Sequence, residues 1–137
     1  MFYEPLSEAC GYLEQKGFQV VVKGQWPDKM IRYHEDYVIR ILDNIISNII
    51  KYADARKPVV IFIIQKKGTL GFLFQNSVDD SDFMIESTGI GLQSIDKLMG
   101  KMGGEYHSSC LKKIFEIEIV FPAMNEQIKK ELPEQQE

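Results

Sequence analysis

The stretch from Ile41 to Tyr52, ILDNIISNIIKY, carries the pattern that decides the fold. It lies within a longer run, from Asp36 to Asp54, in which apolar residues recur at steps of three and four. This spacing puts the apolar side chains on one side of an α-helix. The apolar arc is wide, as expected for a helix that packs against both a sheet and a neighbouring helix. We therefore predict that residues 36–54 form the longest helix of the chain.

Three polar side chains share one margin of that apolar arc. At about 100° per residue, Asn44, Asn48 and Lys51 fall in a single narrow stripe along the helix. Carboxamide oxygens are hard ligands that suit Mg²⁺, and a lysine ammonium can face the charge of a phosphate. The residues alone leave two interpretations open, a magnesium–phosphate site or a solvated helix face.

The segments on either side of this helix predict an α/β domain. Upstream, helical spacing from Leu6 to Leu13 ends at Gly17, and period-two alternation from Phe18 to Val22 predicts a strand. Trp26-Pro27-Asp28 predicts a turn, and a brief strand is predicted over residues 31–33.

Downstream of the long helix, two strands and a turn are predicted. The β-branched run from Val59 to Ile64 indicates a strand buried on both faces. Lys67-Gly68 predicts a hairpin turn, after which alternation from Leu70 to Asn76 predicts an antiparallel partner strand. Residues 77–87 lose all periodicity and predict an acidic loop.

The remaining pattern closes the domain. Helical spacing resumes at Gly91 and stops at Gly103-Gly104, and two strands are predicted over residues 105–108 and 114–121. This order of elements predicts a two-layer α/β sandwich, with about three helices on one face of a mixed, mostly antiparallel sheet. We expect one domain over residues 1–122 and a polar tail over residues 123–137.

Composition narrows the class of protein. The chain has 137 residues, 45% of them hydrophobic, and a formal net charge of −4, which argues against a nucleic-acid partner. Its three lysine pairs, at 66–67, 112–113 and 129–130, are predicted to be solvated turns or tail. Cys10 and Cys110 lie far apart without metal-ligand spacing, and no segment has the length of a membrane span or the pattern of a signal peptide.

A second candidate site lies at the start of the later helix. Ser87 precedes the residues Thr88, Gly89, Ile90, Gly91 and Leu92, between the acidic loop and the helical pattern. Glycines there would let the backbone approach a ligand, and a helix N-terminus offers free N–H groups to an anion. A simple turn with Ser87 or Thr88 as the N-cap explains the same residues.

Together, in this order, the two motifs resemble a known superfamily. The stretch from Ile41 to Tyr52 resembles the N box of the histidine kinase ATPase superfamily, and the stretch from Thr88 to Leu92 resembles its G2 box. The resemblance extends to Pro122 and implies the Bergerat fold. It implies that Asn48 is the Mg²⁺ ligand with Asn44 beside it, and that Lys51 contacts phosphate. It also implies that Tyr52 lines the nucleotide pocket and that the residues from Thr88 to Leu92 hold the phosphates.

Two departures qualify the resemblance. Hydrolysing members of the superfamily carry a Glu where this chain has Asn44, so the resemblance implies phosphoryl transfer rather than rapid hydrolysis. The family's adenine-binding Asp is replaced by Asn76, whose oxygen can still accept a hydrogen bond from the adenine amine. Both glycines that usually follow that Asp are missing, which implies weaker nucleotide affinity.

The resemblance implies a catalytic domain of a histidine protein kinase that binds ATP and Mg²⁺. It would donate the γ-phosphate to a histidine on a separate dimerisation domain, and a response regulator would be an indirect partner. Neither His34 nor His107 has the sequence context of a phospho-acceptor, so we expect the dimerising helices and the membrane anchor of a sensor to lie outside this cytosolic chain, which would be inactive alone. Alternatives are a nucleotide-sensing or pseudokinase docking module and an anti-sigma-factor serine kinase.

Overall fold

The computed structural model describes residues 3–25, 30–31, 34–78 and 90–124. These residues form three helices and six strands: α1 Tyr3–Gln15, β1 Val20–Lys23, β2 Met30–Ile31, α2 Glu35–Tyr52, β3 Val59–Lys66, β4 Thr69–Ser77, α3 Ile90–Lys101, β5 Glu105–Leu111 and β6 Ile114–Met124. The predicted order of helices and strands is confirmed across these ranges.

The helix α2 begins one residue before the predicted start and ends two residues before the predicted end. Ala53 leaves the helical conformation, with φ −74° and ψ 147°, while its N–H still donates to the carbonyl of Ile49. Acidic Glu35 and Asp36 occupy the first turn and Lys51 the last turn. Both signs of charge favour the helix dipole, which supports the boundaries observed.

The six strands form one mixed sheet in the order β1-β3-β4-β6-β2, with β5 also paired to β6. β1 runs parallel to β3, whereas β3, β4, β5 and β6 form antiparallel pairs. The β3–β4 turn passes through Gly68, whose φ of 81° lies in the left-handed region that glycine adopts most readily. The predicted hairpin at Lys67-Gly68 is therefore confirmed.

The core lies between one face of this sheet and the helices. Alternate residues of β3, β4 and β6 point into it, and so does the apolar side of α2: Val59, Ile61, Leu70, Phe72, Phe74, Phe115, Ile117, Ile119 and Phe121 from the strands, and Val38, Ile41, Leu42, Ile45, Ile46 and Ile49 from the helix. Burying this apolar surface is the main force that holds the two layers together.

The prediction that Val59 to Ile64 is buried on both faces was wrong. Val59 and Ile61 are buried, but Val60, Phe62 and Ile64, which alternate with them, are only half-buried. Continuous β-branched residues suit either a strand covered on both sides or one whose outer apolar side chains shield one another, and periodicity does not separate the two cases.

Several predicted features lie outside the described residues. These are the turn at Trp26-Pro27-Asp28, most of the acidic loop after Val78, and the tail from residue 125 onward. β6 continues to Met124. Of the brief strand predicted over residues 31–33, Ile31 lies in the observed strand Met30–Ile31, and residues 32–33 lie outside the described residues. No helix in the described part of the chain has the length and apolar character needed to span a membrane.

Candidate functional site

The predicted stripe on α2 has graded exposure. Asn44 and Asn48 are half-buried, whereas Lys51, one turn further on, is exposed. Helix geometry separates the α-carbons of Asn44 and Lys51 by about 10 Å along the axis, comparable with the length of a triphosphate chain. The stripe therefore offers two amide groups at the edge of the core and one exposed cation at its outer end.

The side-chain nitrogen of Asn48 is an unsatisfied hydrogen-bond donor among the described residues. Nδ2 is buried and has no hydrogen-bond partner among the described residues. A buried amide donor without a partner costs free energy, of the order of 1–3 kcal/mol. Such groups are uncommon in folded proteins and are often completed by a ligand or an ion. An oxygen-rich anion next to the stripe would satisfy Nδ2 and leave the amide oxygen for a metal ion.

Asn76 lies on the core-facing side of β4 and is only 4% exposed. Its Nδ2 donates to the carbonyl oxygen of Ser77 over 3.2 Å, which orients the carboxamide. On the neighbouring strand its partner in the register is Phe115, a buried residue. Asn76 is therefore a polar group held in an apolar setting, as expected for a residue that recognises one polar edge of a ligand.

The end of α2 is fastened to the end of β4. The N–H of Asp54 donates to the carbonyl of Ser77 over 2.8 Å, and Ala53 forms an isolated bridge with Val78. Tyr52, half-buried against the core, is thereby held close to the strand that carries Asn76. The predicted nucleotide-pocket residues Tyr52 and Asn76 are thus brought to one end of the sandwich.

Sequence reasoning missed another polar group at this end, Asp54. Asp54 is 7% exposed and accepts hydrogen bonds from Arg56, from the backbone N–H at 3.0 Å and from Nε at 2.9 Å. Nη2 of Arg56 binds the second carboxylate oxygen at 3.0 Å. These bonds to Arg56, aided by the charge of Lys57, lower the pKa of Asp54. The spacing of Asp54 and Arg56 gives no sequence signal beyond that of an ordinary turn.

The second predicted motif is described only in part. Ile90 and Gly91 are the first two residues of α3, and Leu92 is half-buried against the core. α3 packs beside α2 and against β5. Thr88 and Gly89 lie outside the described residues. The structure thus confirms that a helix begins at the predicted G2 motif.

A groove between α1 and α2 is separate from the stripe. It has a volume of about 600 Å³ and includes Tyr12, Ile39, Asp43 and Lys51 in its lining, but neither Asn44 nor Asn48. Lys51 therefore lies on the border between this groove and the polar stripe. Lys51 is the one residue of the predicted magnesium site that also lines the groove.

Comparisons with known proteins agree with this geometry. No protein-family model matches the chain. The sensor histidine kinase YrkQ of Bacillus subtilis (strain 168) is 30% identical over 108 residues, which is 79% of this chain and 25% of that protein. The chain belongs to the histidine kinase catalytic-domain family. It spans about a quarter of the length of this relative.

Solved histidine kinase structures share its fold. The catalytic domain of the kinase ThkA superposes with a TM-score of 0.70 at 13% identity, covering 88% of this chain and 90% of that one. The mycobacterial sensor kinase MprB gives 0.67 at 15% identity, covering 90% and 95%. Acinetobacter baumannii AdeS gives 0.67 at 15% identity, covering 88% and 64%. This family membership confirms the resemblance and the fold class predicted from the sequence.

Proposed function

We propose that this histidine kinase domain binds Mg-ATP along α2 and donates the γ-phosphate to a histidine on a separate dimerisation domain. Asn48 would supply an oxygen to Mg²⁺, with Asn44 beside it, and Lys51 would approach the phosphates as a point charge. Tyr52 and Asn76 would receive the adenine. Thr88, Gly89, Ile90, Gly91 and Leu92 would offer backbone N–H groups to the phosphates at the start of α3.

The observation that carries this proposal is the buried Nδ2 of Asn48, which has no hydrogen-bond partner in the described part of the chain, on a helix of this family. A phosphate oxygen is an acceptor of the kind that this donor lacks. Mg²⁺, when bound, would neutralise charge on the phosphates during transfer. The chain's own residues position the nucleotide: α2 fixes the amides, and the fastening of Asp54 to Ser77 fixes the distance between α2 and Asn76.

Asn44 supports transfer to a side chain over hydrolysis. A carboxamide cannot remove a proton from water, so the position that holds a general base in hydrolysing relatives is inert here. The proposed partner is therefore a histidine on the dimerising helices of the same full-length kinase, and a response regulator would receive the phosphoryl group later. In that arrangement the domain is cytosolic and the sensor's membrane anchor lies elsewhere.

Neither histidine of the described chain is proposed as the acceptor. His34 precedes α2 and stacks on Tyr37 with the ring centroids 4.1 Å apart. His107 on β5 lies 3.1 Å from the carboxylate of Glu105. We expect no acid-labile phosphorylation of the isolated chain with labelled Mg-ATP, and we expect labelling when its dimerisation helices are added. Label on His34 or His107 in the isolated chain would place the acceptor here and contradict the proposal.

Calorimetric titration with Mg-ADP tests the binding step directly. We expect a saturable heat that depends on Mg²⁺, together with a rise in Tm at millimolar nucleotide. A docking module that has lost nucleotide binding is the second candidate, favoured by Asn76 and by the absence of the family's two glycines after it. Absence of both heat and thermal shift would support that candidate and exclude the enzyme.

A further inference from the structure

A second cavity, of about 530 Å³, opens beyond the C-terminal end of α2. We call it the turn pocket; it is lined by Asp54, Arg56, Lys57, Ser77, Val78, Lys112, Lys113 and Ile114. Its volume lies within the range of about 300–1,000 Å³ typical of small-molecule sites. It contains neither Asn44, Asn48 nor Lys51, so it is distinct from the proposed magnesium site.

The lining of the turn pocket is strongly cationic in a protein that is acidic overall. Of the eight described residues that line it, four are basic and one is acidic, whereas the whole chain has a net charge of −4. The single carboxylate, Asp54, is already neutralised by Arg56. Lys57, Lys112 and Lys113 have no acidic counterpart among the lining residues. The described lining of the pocket therefore carries an excess of about three positive charges.

Two of these lysines are held in an unfavourable backbone conformation. Lys112 and Lys113 form the two-residue turn between the paired residues Leu111 and Ile114, with φ values of 53° and 66°. Turns of this kind strongly prefer Asn-Gly, because side chains beyond Gly, Asn and Asp resist positive φ. Two lysines thus occupy positions at which Asn and Gly would adopt the required backbone conformation at lower cost. Strain of this kind is concentrated at functional sites.

Backbone hydrogen bonds also connect the segments that line the pocket. The N–H of Val78 donates to the carbonyl of Lys113 over 2.9 Å, which ties the turn to the end of β4. On the opposite wall, the N–H of Lys57 donates to the carbonyl of Asp54 over 3.1 Å. The N–H of Asp54 in turn donates to the carbonyl of Ser77, next to Val78. The segment with Lys57 and the turn with Lys113 are therefore both hydrogen-bonded to the end of β4.

From this combination we propose that the turn pocket binds a phosphate-bearing small molecule, at a site separate from the proposed magnesium site. Lys57, Lys112 and Lys113 would surround the phosphates, and the carboxylate of Asp54 would keep Arg56 directed toward the same wall. Lysine ammonium groups form charge-assisted hydrogen bonds to phosphate oxygens. The proposal rests on the pocket alone and holds whether or not the domain binds ATP.

Sodium pyrophosphate without Mg²⁺, at constant ionic strength, is the probe, and backbone amide NMR is the measurement. We expect saturable shifts of the Lys57, Val78 and Lys113 amides. In the double variant Lys112→Asn/Lys113→Gly the turn becomes Asn-Gly, so we expect pyrophosphate binding to weaken at least about tenfold. The Tm of that variant should rise, because the backbone strain is removed. A loss of binding together with a gain in stability cannot be caused by unfolding.

The variant Lys66→Gln/Lys67→Gln is the matched control. It removes the same charge from another lysine pair, at the β3–β4 turn outside the pocket, and should leave pyrophosphate affinity unchanged. Three results would overturn the proposal: shifts that never saturate, equal affinity of the Asn-Gly variant, or an equal loss in the control. Shifts of the pocket amides by a poly-glutamate peptide but not by pyrophosphate would assign the pocket to an acidic protein partner instead.

Discussion

The carbonyl oxygen of Ser77 accepts the backbone N–H of Asp54 over 2.8 Å, and so joins the end of the α2 segment to β4. The same oxygen accepts a second hydrogen bond, from Nδ2 of Asn76, over 3.2 Å. A carbonyl has two lone pairs and is satisfied by one strong bond, so the Asn76 contact orients the carboxamide more than it stabilises Ser77.

This arrangement allows the role of Asn76 in nucleotide binding to be tested without unfolding the domain. In Asn76→Leu, Ser77 keeps its bond from Asp54, so we expect little change in Tm. Nucleotide binding should weaken by about 1–3 kcal/mol, because the adenine amine would lose its acceptor. Calorimetry with Mg-ADP provides the measurement. Equal affinity in wild type and Asn76→Leu would mean that adenine lies elsewhere.

The substitution Asn76→Asp should separate affinity from stability. An ionised carboxylate at this buried position is costly, and its oxygen would repel the Ser77 carbonyl oxygen to which Nδ2 of Asn76 donates. We therefore expect a lower Tm for the free domain, with Mg-ADP affinity equal to or tighter than that of wild type. Thermal melts with and without nucleotide measure both effects, and weaker binding would contradict the proposed contact with the adenine amine.

The magnesium requirement should depend on Asn48. Asn48→Ala removes a buried donor that lacks a partner among the described residues and improves helix propensity, so the Tm should stay the same or rise. Affinity for Mg-ADP should fall at least about tenfold and become insensitive to EDTA, on the scale at which lost metal-site contacts act. Ser47→Ala, at the exposed neighbouring position, is the control. Retained magnesium dependence in Asn48→Ala would exclude this ligand.

Asp54 predicts one component of the acid stability of the domain. Its pKa is lowered in the folded state by Arg56, so the folded state favours the ionised carboxylate. This contribution is complete above the unfolded pKa of about 4 and is lost as the pH falls through the lower folded value. The Tm difference between wild type and Asp54→Asn should therefore shrink between pH 5 and about pH 2. A Tm difference that is constant with pH would show that the ion pair with the exposed Arg56 adds nothing to stability.

Gly104 and Gly100 should respond oppositely to alanine. At Gly104 an added Cβ would lie 2.7 Å from Cε of Met99 and closer still to the carbonyl oxygen of Val120, so α3 would be pushed from β6. We expect Gly104→Ala to lower the free energy of unfolding by about 1–3 kcal/mol. At Gly100, within α3, a Cβ meets nothing within 4 Å, and alanine should add about 0.5–1 kcal/mol. Urea denaturation of both variants measures these changes in the free energy of unfolding. Changes of the same sign in the two variants would contradict the prediction.

Local pattern sufficed for the helices and hairpins because the determinants lie close together in sequence. The Lys67-Gly68 turn and the alternation that follows it specify β3 and β4 by themselves. Helical spacing likewise predicted that Asn44, Asn48 and Lys51 would lie on one face of α2. Their roles as ligands remain predictions.

What sequence did not predict depends on residues that meet only in the folded chain. The residues on the outer face of β3, such as Phe62, are only half-buried, because no described helix covers that face. The periodicity of the sequence does not show whether a second layer will cover a strand. The turn pocket joins Lys57 to Lys112, which are separated by three strands and a helix. Each lysine alone has the ordinary appearance of a solvated turn residue.

The parallel pairing of β1 with β3 sets the order in which the chain can fold during synthesis. Within the described residues β1 has β3 as its sheet partner, and about forty residues separate them. Until β3 has been translated, Leu13 on α1 and Phe18 before β1 have no sheet to cover them. On the ribosome such apolar surface is available to chaperones and to misfolding. Although α1 and β1 precede β3 in the chain, they can therefore reach their native positions only after β3 has been made.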